Sequence, residues 1–172
     1  MYRAILLLLL LCSATKAQTV FDLAALPDGT VLQSRNADER LNTSPGFWNH
    51  LAIVSNGHIV EAQEGQGVIQ TSFQTYLARP YSRIRAFTPV SLEEGERIAD
   101  TSETLNGKPF RLLSSLPGKD RPRAMDRGMN CDSVVRFSAR QATGKRLRRM
   151  RIPDRMSIMV SRGVVNPPIT LR

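Results

Sequence analysis

The sequence has little of what most site chemistries require. Its 172 residues hold two cysteines, two histidines and one tryptophan. Structural zinc sites draw four donors from close Cys/His pairs, and no such pair is present. A site built from Cys131, His50 and Glu61 is the one zinc alternative, and no cofactor is expected. There is no glycine-rich phosphate loop, which removes the usual nucleotide cradle. Internal repeats and low-complexity tracts are also missing. The one long apolar run, Ala4 to Cys12, is too short to cross a bilayer as a stable anchor.

That run is informative in another way. It follows a basic start at Arg3 and precedes small residues at Thr15 and Ala17, the layout of a cleaved secretion signal over residues 1–17. The mature chain is then expected to start at Gln18 and to be secreted or periplasmic. Lipid attachment at Cys12 is the alternative, and Leu11 stands where such signals usually have Gly or Ala. Cleavage removes Cys12, so Cys131 has no internal disulfide partner. It also removes Arg3 and Lys16 and no acid, lowering the formal charge from +9 to +7. Residues 18–172 suffice for one domain with its own core.

The patterning predicts an α+β fold. Strands are expected over Thr30 to Ser34, Phe47 to Ser55 and His58 to Gln63, the last two joined at Asn56-Gly57, the strongest short hairpin signal. Ser72 to Ala78 reads as a short helix and Tyr81 to Phe87 as a strand. Ser91 with Glu94 forms a capping-box pattern for a helix ending at Gly107. Lys108 to Met129, rich in Pro, Gly and charge, reads as a long loop. Asn130 caps a helix from Cys131 to Gly144, and Met156 to Ser161 reads as a final strand before a Pro-containing tail.

Chemistry converges on Cys131. A thiol in the first helical turn meets unpaired N–H groups and the positive end of the helix dipole, which favour a thiolate. On helical spacing Cys131 shares a stripe with Val134, Val135, Ser138 and Ala142, while Arg136 and Arg140 point elsewhere and Asp132 is spaced to pair with Arg136. A two-residue turn at Asn56-Gly57 pairs Ala52 with Glu61 and His50 with Gln63. His50, Glu61 and Gln63 then share one face, and His58 takes the other. A helix packed on that first face would complete a Cys-His-polar arrangement.

The stretches "GFWNHLAIVSNGHIVEAQEGQGV", "SFQTYLARPYSRIRAF" and "NCDSVV" resemble the circularly permuted branch of the NlpC-type, papain-like cysteine peptidases, the YiiX/YebB-like proteins, over roughly Pro27 to Ser161. Lecithin:retinol acyltransferase-like enzymes are similar to this branch. The resemblance implies a permuted papain-like core, with the nucleophile helix packed against an antiparallel sheet. It also implies Cys131 as nucleophile, His50 as general base and Glu61 as the orienting residue. Asn49, Phe110 and Asp132 depart from the branch's usual residues. Trp48 and Gln63 are the candidate substrate contacts, with Trp48 equally placed for core packing.

Taken singly, each of these residues has a plain reading: a small core thiol, a satisfied strand histidine, a solvated glutamate. Their combination points to an exported cysteine hydrolase acting on an amide, with cell-wall peptide as first substrate and a lipid ester or amide as second. A secreted, non-catalytic module binding anionic polymers is the alternative class. The basic run from Arg136 to Arg151 suits an anionic surface, and the secretion signal argues against nucleic acid.

Overall fold

The computed structural model describes residues 22–37, 48–111, 128–145, 147 and 156–171. The expected signal segment, Cys12, the start at Gln18, Phe47, most of the 108–129 loop and the basic residues from Arg148 to Arg151 lie outside them. Among the described residues one antiparallel sheet of six strands forms: β1 (Val31–Asn36), β2 (His50–Ser55), β3 (His58–Gln63), β4 (Gly67–Thr71), β5 (Tyr81–Phe87) and β6 (Ile169–Thr170). Their order is β4-β3-β2-β1-β5-β6. Helices α1 (Phe73–Leu77), α2 (Leu92–Glu103), α3 (Cys131–Thr143) and α4 (Ser157–Ser161) accompany it.

The hairpin forms in the expected register, Ala52 opposite Glu61 and Ser55 opposite His58. Asn56 and Gly57 both take positive φ, 46° and 76°, as a primed turn that follows the strand twist requires. Alternation then sorts the strands onto two cores. Leu51, Ile53, Val60, Ala62 and Val68 face one side, where Val134, Val135 and Ala139 of α3 meet them. Ala52, Val54, Ile59, Leu32 and Ile84 face the other, with Leu23, Tyr76 and Tyr81. Each fully buried aliphatic residue contributes about 1.5–3 kcal/mol by leaving water. Burial on both faces thus explains why β2 is an almost unbroken apolar run.

The helix caps form, though of the Ser91–Glu94 box only the Ser91 half is made, since the Glu94 side chain reaches Lys145. The Ser91 hydroxyl accepts from the Glu94 N–H, and Ser72 accepts from the Thr75 N–H. Asn130 and Ser133 cap each other reciprocally, and Gly144 closes α3 with φ 67°. Helix α2 sits directly against the turn before β1. A Cβ on Gly29 would lie 2.3 Å from the Gly95 carbonyl oxygen, and one on Gly95 would lie 2.4 Å from that of Asp28. Glycine at both positions lets backbone meet backbone.

Two expectations are corrected. Met156 to Ser161 forms a helix, because Met156 and Met159, one helical turn apart, are the residues the core takes up; a short apolar run has no period that separates the two states. Arg136 does not point to solvent. It is 3% exposed, since α3 packs against α2 as well as against β2 and β3 and so is covered on two sides.

Candidate functional site

The backbone brings the start of α3 to the end of the sheet where His50 lies. Val68 N–H donates to the Lys108 carbonyl at 2.7 Å, Met129 N–H donates to that of Pro109 at 2.7 Å, and Arg111 N–H donates to that of Met129 at 2.9 Å. These bonds extend β4 outward, and the Phe110–Met129 bridge delivers the chain to Asn130 and Cys131. Gly67 starts β4 opposite Gln63, the last residue of β3, and continuing the hairpin register puts Gln63 opposite His50. The thiol thus arrives at the sheet end where β2 begins.

This differs from the face predicted for the helix. Helix α3 packs on the side of Leu51 and Ile53, opposite the face that carries Glu61, Tyr76 and Tyr81. The cause is apolar demand: the α3 stripe matches the aliphatic side of the hairpin, and α1 with its tyrosine already covers the other. Contact with His50 survives because Cys131 is the first residue of the helix and His50 the first of its strand. The thiol and the ring come together at the rim, near enough for Cys131 to help raise the basicity of His50.

The ring is held from several directions. His50 Nε2 lies 2.7 Å from Glu61 Oε2, which leaves Nδ1 to the thiol. Tyr81 stacks on the imidazole at 6.2 Å between centroids, with 15° between planes. Burial works against protonation of the ring. It is outweighed by Tyr81, by the hydrogen bonds to Cys131 and Glu61 and by the Glu61 charge, and the pKa of His50 is raised well above its ordinary 6.5.

Glu61 is fully buried, and its two oxygens are crowded with donors. Arg79 grips it with both terminal nitrogens, Nη1 to Oε2 at 2.5 Å and Nη2 to Oε1 at 2.6 Å. Thr71 donates to Oε1 at 2.7 Å and Gln63 at 3.1 Å. Desolvation alone would raise the carboxyl, but the bonds to His50 and Arg79 and their charges lower it from 4.5 to about 2. The carboxylate is thus ionised throughout the physiological range and turns the ring's Nε2 into a donor.

Nothing in the sequence pattern singles out Arg79. It lies just past α1, where Ala78 ends the helix, and only the folded chain shows that this turn aims at β3. The dipeptide Arg79-Pro80, a charge at a helix stop, was the available signal. Gln63 was expected to touch substrate, yet its amide is engaged at both ends, donating to Glu61 and accepting from Gln66 at 3.0 Å. Trp48, 7% exposed, lies beneath the Arg85 guanidinium, 4.5 Å from the ring centroid. His58 starts β3 beside the turn, away from the site, with Nδ1 3.0 Å from the Asn56 carbonyl oxygen. Cys131 is a free, half-buried thiol, and Asp132 beside it is buried.

No protein-family model matches the chain, and no curated protein matches it. Among solved structures it is similar to the crystal structure of metalloprotein yiiX from Escherichia coli O157:H7, with a TM-score of 0.54 and 17% identity over 71% of this chain and 69% of that one. At that identity the likeness speaks of architecture. The chain shares with yiiX a YiiX-like α+β fold, an antiparallel sheet with helices packed on it.

Proposed function

We propose that the chain is a cysteine hydrolase that cleaves acyl compounds through a Cys131 thioester. The observation that carries this reading is the continuous relay from the Cys131 thiol through the His50 ring to the ionised, Arg79-anchored Glu61. In the first step the sulfur attacks the acyl carbon, and the bond to the leaving amine or alcohol breaks as the imidazolium gives that group its proton. In the second, water attacks the thioester, His50 takes its proton, the carbon–sulfur bond breaks and the thiolate is restored. The oxyanion needs a donor. The cap uses the N–H of Ser133, and the N–H of Cys131, in the first turn where no intrahelical acceptor exists, is the natural candidate.

The sequence order supports the permuted papain-like reading: histidine strand first, carboxylate strand next, nucleophile helix late. Amide in cell-wall peptide and lipid ester or amide are the two substrate classes under this proposal, with export by the 1–17 signal. The neighbour's description as a metalloprotein raises a second possibility for the same residues, and the geometry favours the hydrolase. Both oxygens of Glu61 are occupied by nitrogen and hydroxyl donors and Nε2 faces Glu61, so only Nδ1 and the sulfur are left. Among the described residues no group of three ligands converges.

The test is intact-protein mass spectrometry after brief iodoacetamide exposure. The wild type should be labelled at Cys131 at mildly acidic pH, and His50→Ala should lose that labelling. Equal labelling in both proteins overturns the paired nucleophile.

A further inference from the structure

A groove of about 390 Å³ opens between the sheet and α4, lined by Gln33, Trp48, Arg85, Phe87, Met156 and Val160 among others. Its volume falls within the range of small-ligand sites, about 300–1,000 Å³. It lies on the face that α3 covers, since Phe87 and Met156 belong to that core. Its floor adjoins the candidate site: Gln33 pairs with Leu51, the neighbour of His50, and Trp48 leads into the strand that His50 begins.

The lining is mainly apolar and aromatic, with Gln33, Ser157 and Ser161 as neutral polar residues and one cation. The Arg85 guanidinium meets the indole face of Trp48, and among the described residues no carboxylate pairs with it. Stacking fixes a guanidinium in place while leaving its N–H edge able to bind an anion. Gln33, 2% exposed, lies beside it across β1 and β5. An apolar wall answers an alkyl chain, and a pinned cation without an acid answers a negative charge at one end of it.

We infer that this groove binds an aliphatic amphiphilic anion, an alkyl or acyl chain bearing a carboxylate or phosphate, seated against Trp48 with its charge on Arg85. The role of the groove as a substrate subsite rests on the hydrolase reading and favours the lipid class of substrate. The binding itself does not depend on turnover.

Trp48 is the single tryptophan of the chain, so indole emission reports directly on the groove. Octanoate titrated into the full-length protein should give a saturable change in emission. Octanol should bind about fivefold more weakly, the upper worth of a partly exposed ion pair, and octylammonium more weakly still. Arg85→Met, which keeps an apolar stem, should remove the preference for octanoate over octanol. Val160→Phe, which fills the groove, should weaken both ligands, with thermal unfolding confirming that each variant is folded. Octanol binding as tightly as octanoate, or an emission that no ligand changes, overturns the inference. N-acetylphenylalanine binding more tightly than octanoate overturns the alkyl assignment in favour of a peptide terminus. Labelling of Cys131 that requires His50, without octanoate binding, sinks the groove and leaves the hydrolase; the converse result leaves the groove and sinks the hydrolase.

Discussion

Glu61 has no solvent to fall back on: its oxygens receive His50, Arg79, Thr71 and Gln63. Replacement by glutamine turns one acceptor into an NH2 that faces donors and strips Arg79 of its counter-charge. Breaking a buried pair costs about 3–5 kcal/mol. With Arg79 23% exposed, some water reaches it, so Glu61→Gln is expected to lose about 2–4 kcal/mol in urea unfolding. The same substitution should slow alkylation of Cys131, because the ring loses the carboxylate that orients it. The pH profile of stability follows from the same pair. Glu61 is lowered from 4.5 to about 2, so its contribution is present above 4.5 and is lost as pH falls toward 2. His50 is raised above 6.5, so its contribution is complete below 6.5 and is lost as pH rises through the folded value. Denaturant titrations should therefore show greatest stability between about pH 4.5 and 6.5 from these two groups, and Cys131→Ala should weaken the alkaline limb by removing a hydrogen bond to the ring. His50 and Glu61 could be placed on one face from sequence, because strand alternation has a fixed period. Arg79 could not, because its reach depends on the packing of α1.

At the level of elements, caps and turns were the most legible features, since their chemistry is local. Asn130, Gly144, Ser91 and Asn56-Gly57 act within a few residues of themselves. Asn130→Ala is expected to cost about 1 kcal/mol by freeing the Ser133 N–H; unchanged chemical unfolding would contradict the cap. The α2 dock is a second test. Gly95→Ala adds a carbon 2.4 Å from the Asp28 carbonyl oxygen, which forces backbone apart. Although alanine is the better helix former by about 1 kcal/mol, a net loss of about 1–3 kcal/mol from overpacking is expected, and a gain in stability would show that α2 is free to shift. The side of the sheet taken by α3 was not legible. It depends on which of two apolar faces still needs a cover, a property of the assembled hairpin. The helical state of α4 was hidden for a related reason, because a short run with four apolar residues, Met156, Ile158, Met159 and Val160, suits either state until the core selects Met156 and Met159.

Charge belongs to the whole molecule. The formal +9 suggested one basic stripe from Arg136 to Arg151, but the described part of that stretch is divided. Arg136 is buried, and Lys145 donates to the Gly163 carbonyl at 2.6 Å and lies 3.5 Å from Glu94. Adhesion to anionic vesicles is accordingly expected to arise from the general excess of cations. It should weaken as salt approaches physiological strength, where screening acts beyond about 8 Å, and binding that ignores salt would reject it. The order of the two cores along the chain has a different consequence. Every fully buried member of the core around Tyr76 lies between Leu23 and Ala86, and His50, Glu61, Thr71 and Arg79 all fall in that stretch. During synthesis, when chains begin to fold from the N-terminal side, the imidazole of His50 and the carboxylate of Glu61 are already available for alignment before Cys131 leaves the ribosome. The hairpin's second apolar face meanwhile waits bare for α3. A ribosome stalled ahead of Cys131 would hold a chain with His50, Glu61 and Arg79 able to align, no α3 to meet them, and a sticky sheet face that a chaperone or another chain could seize.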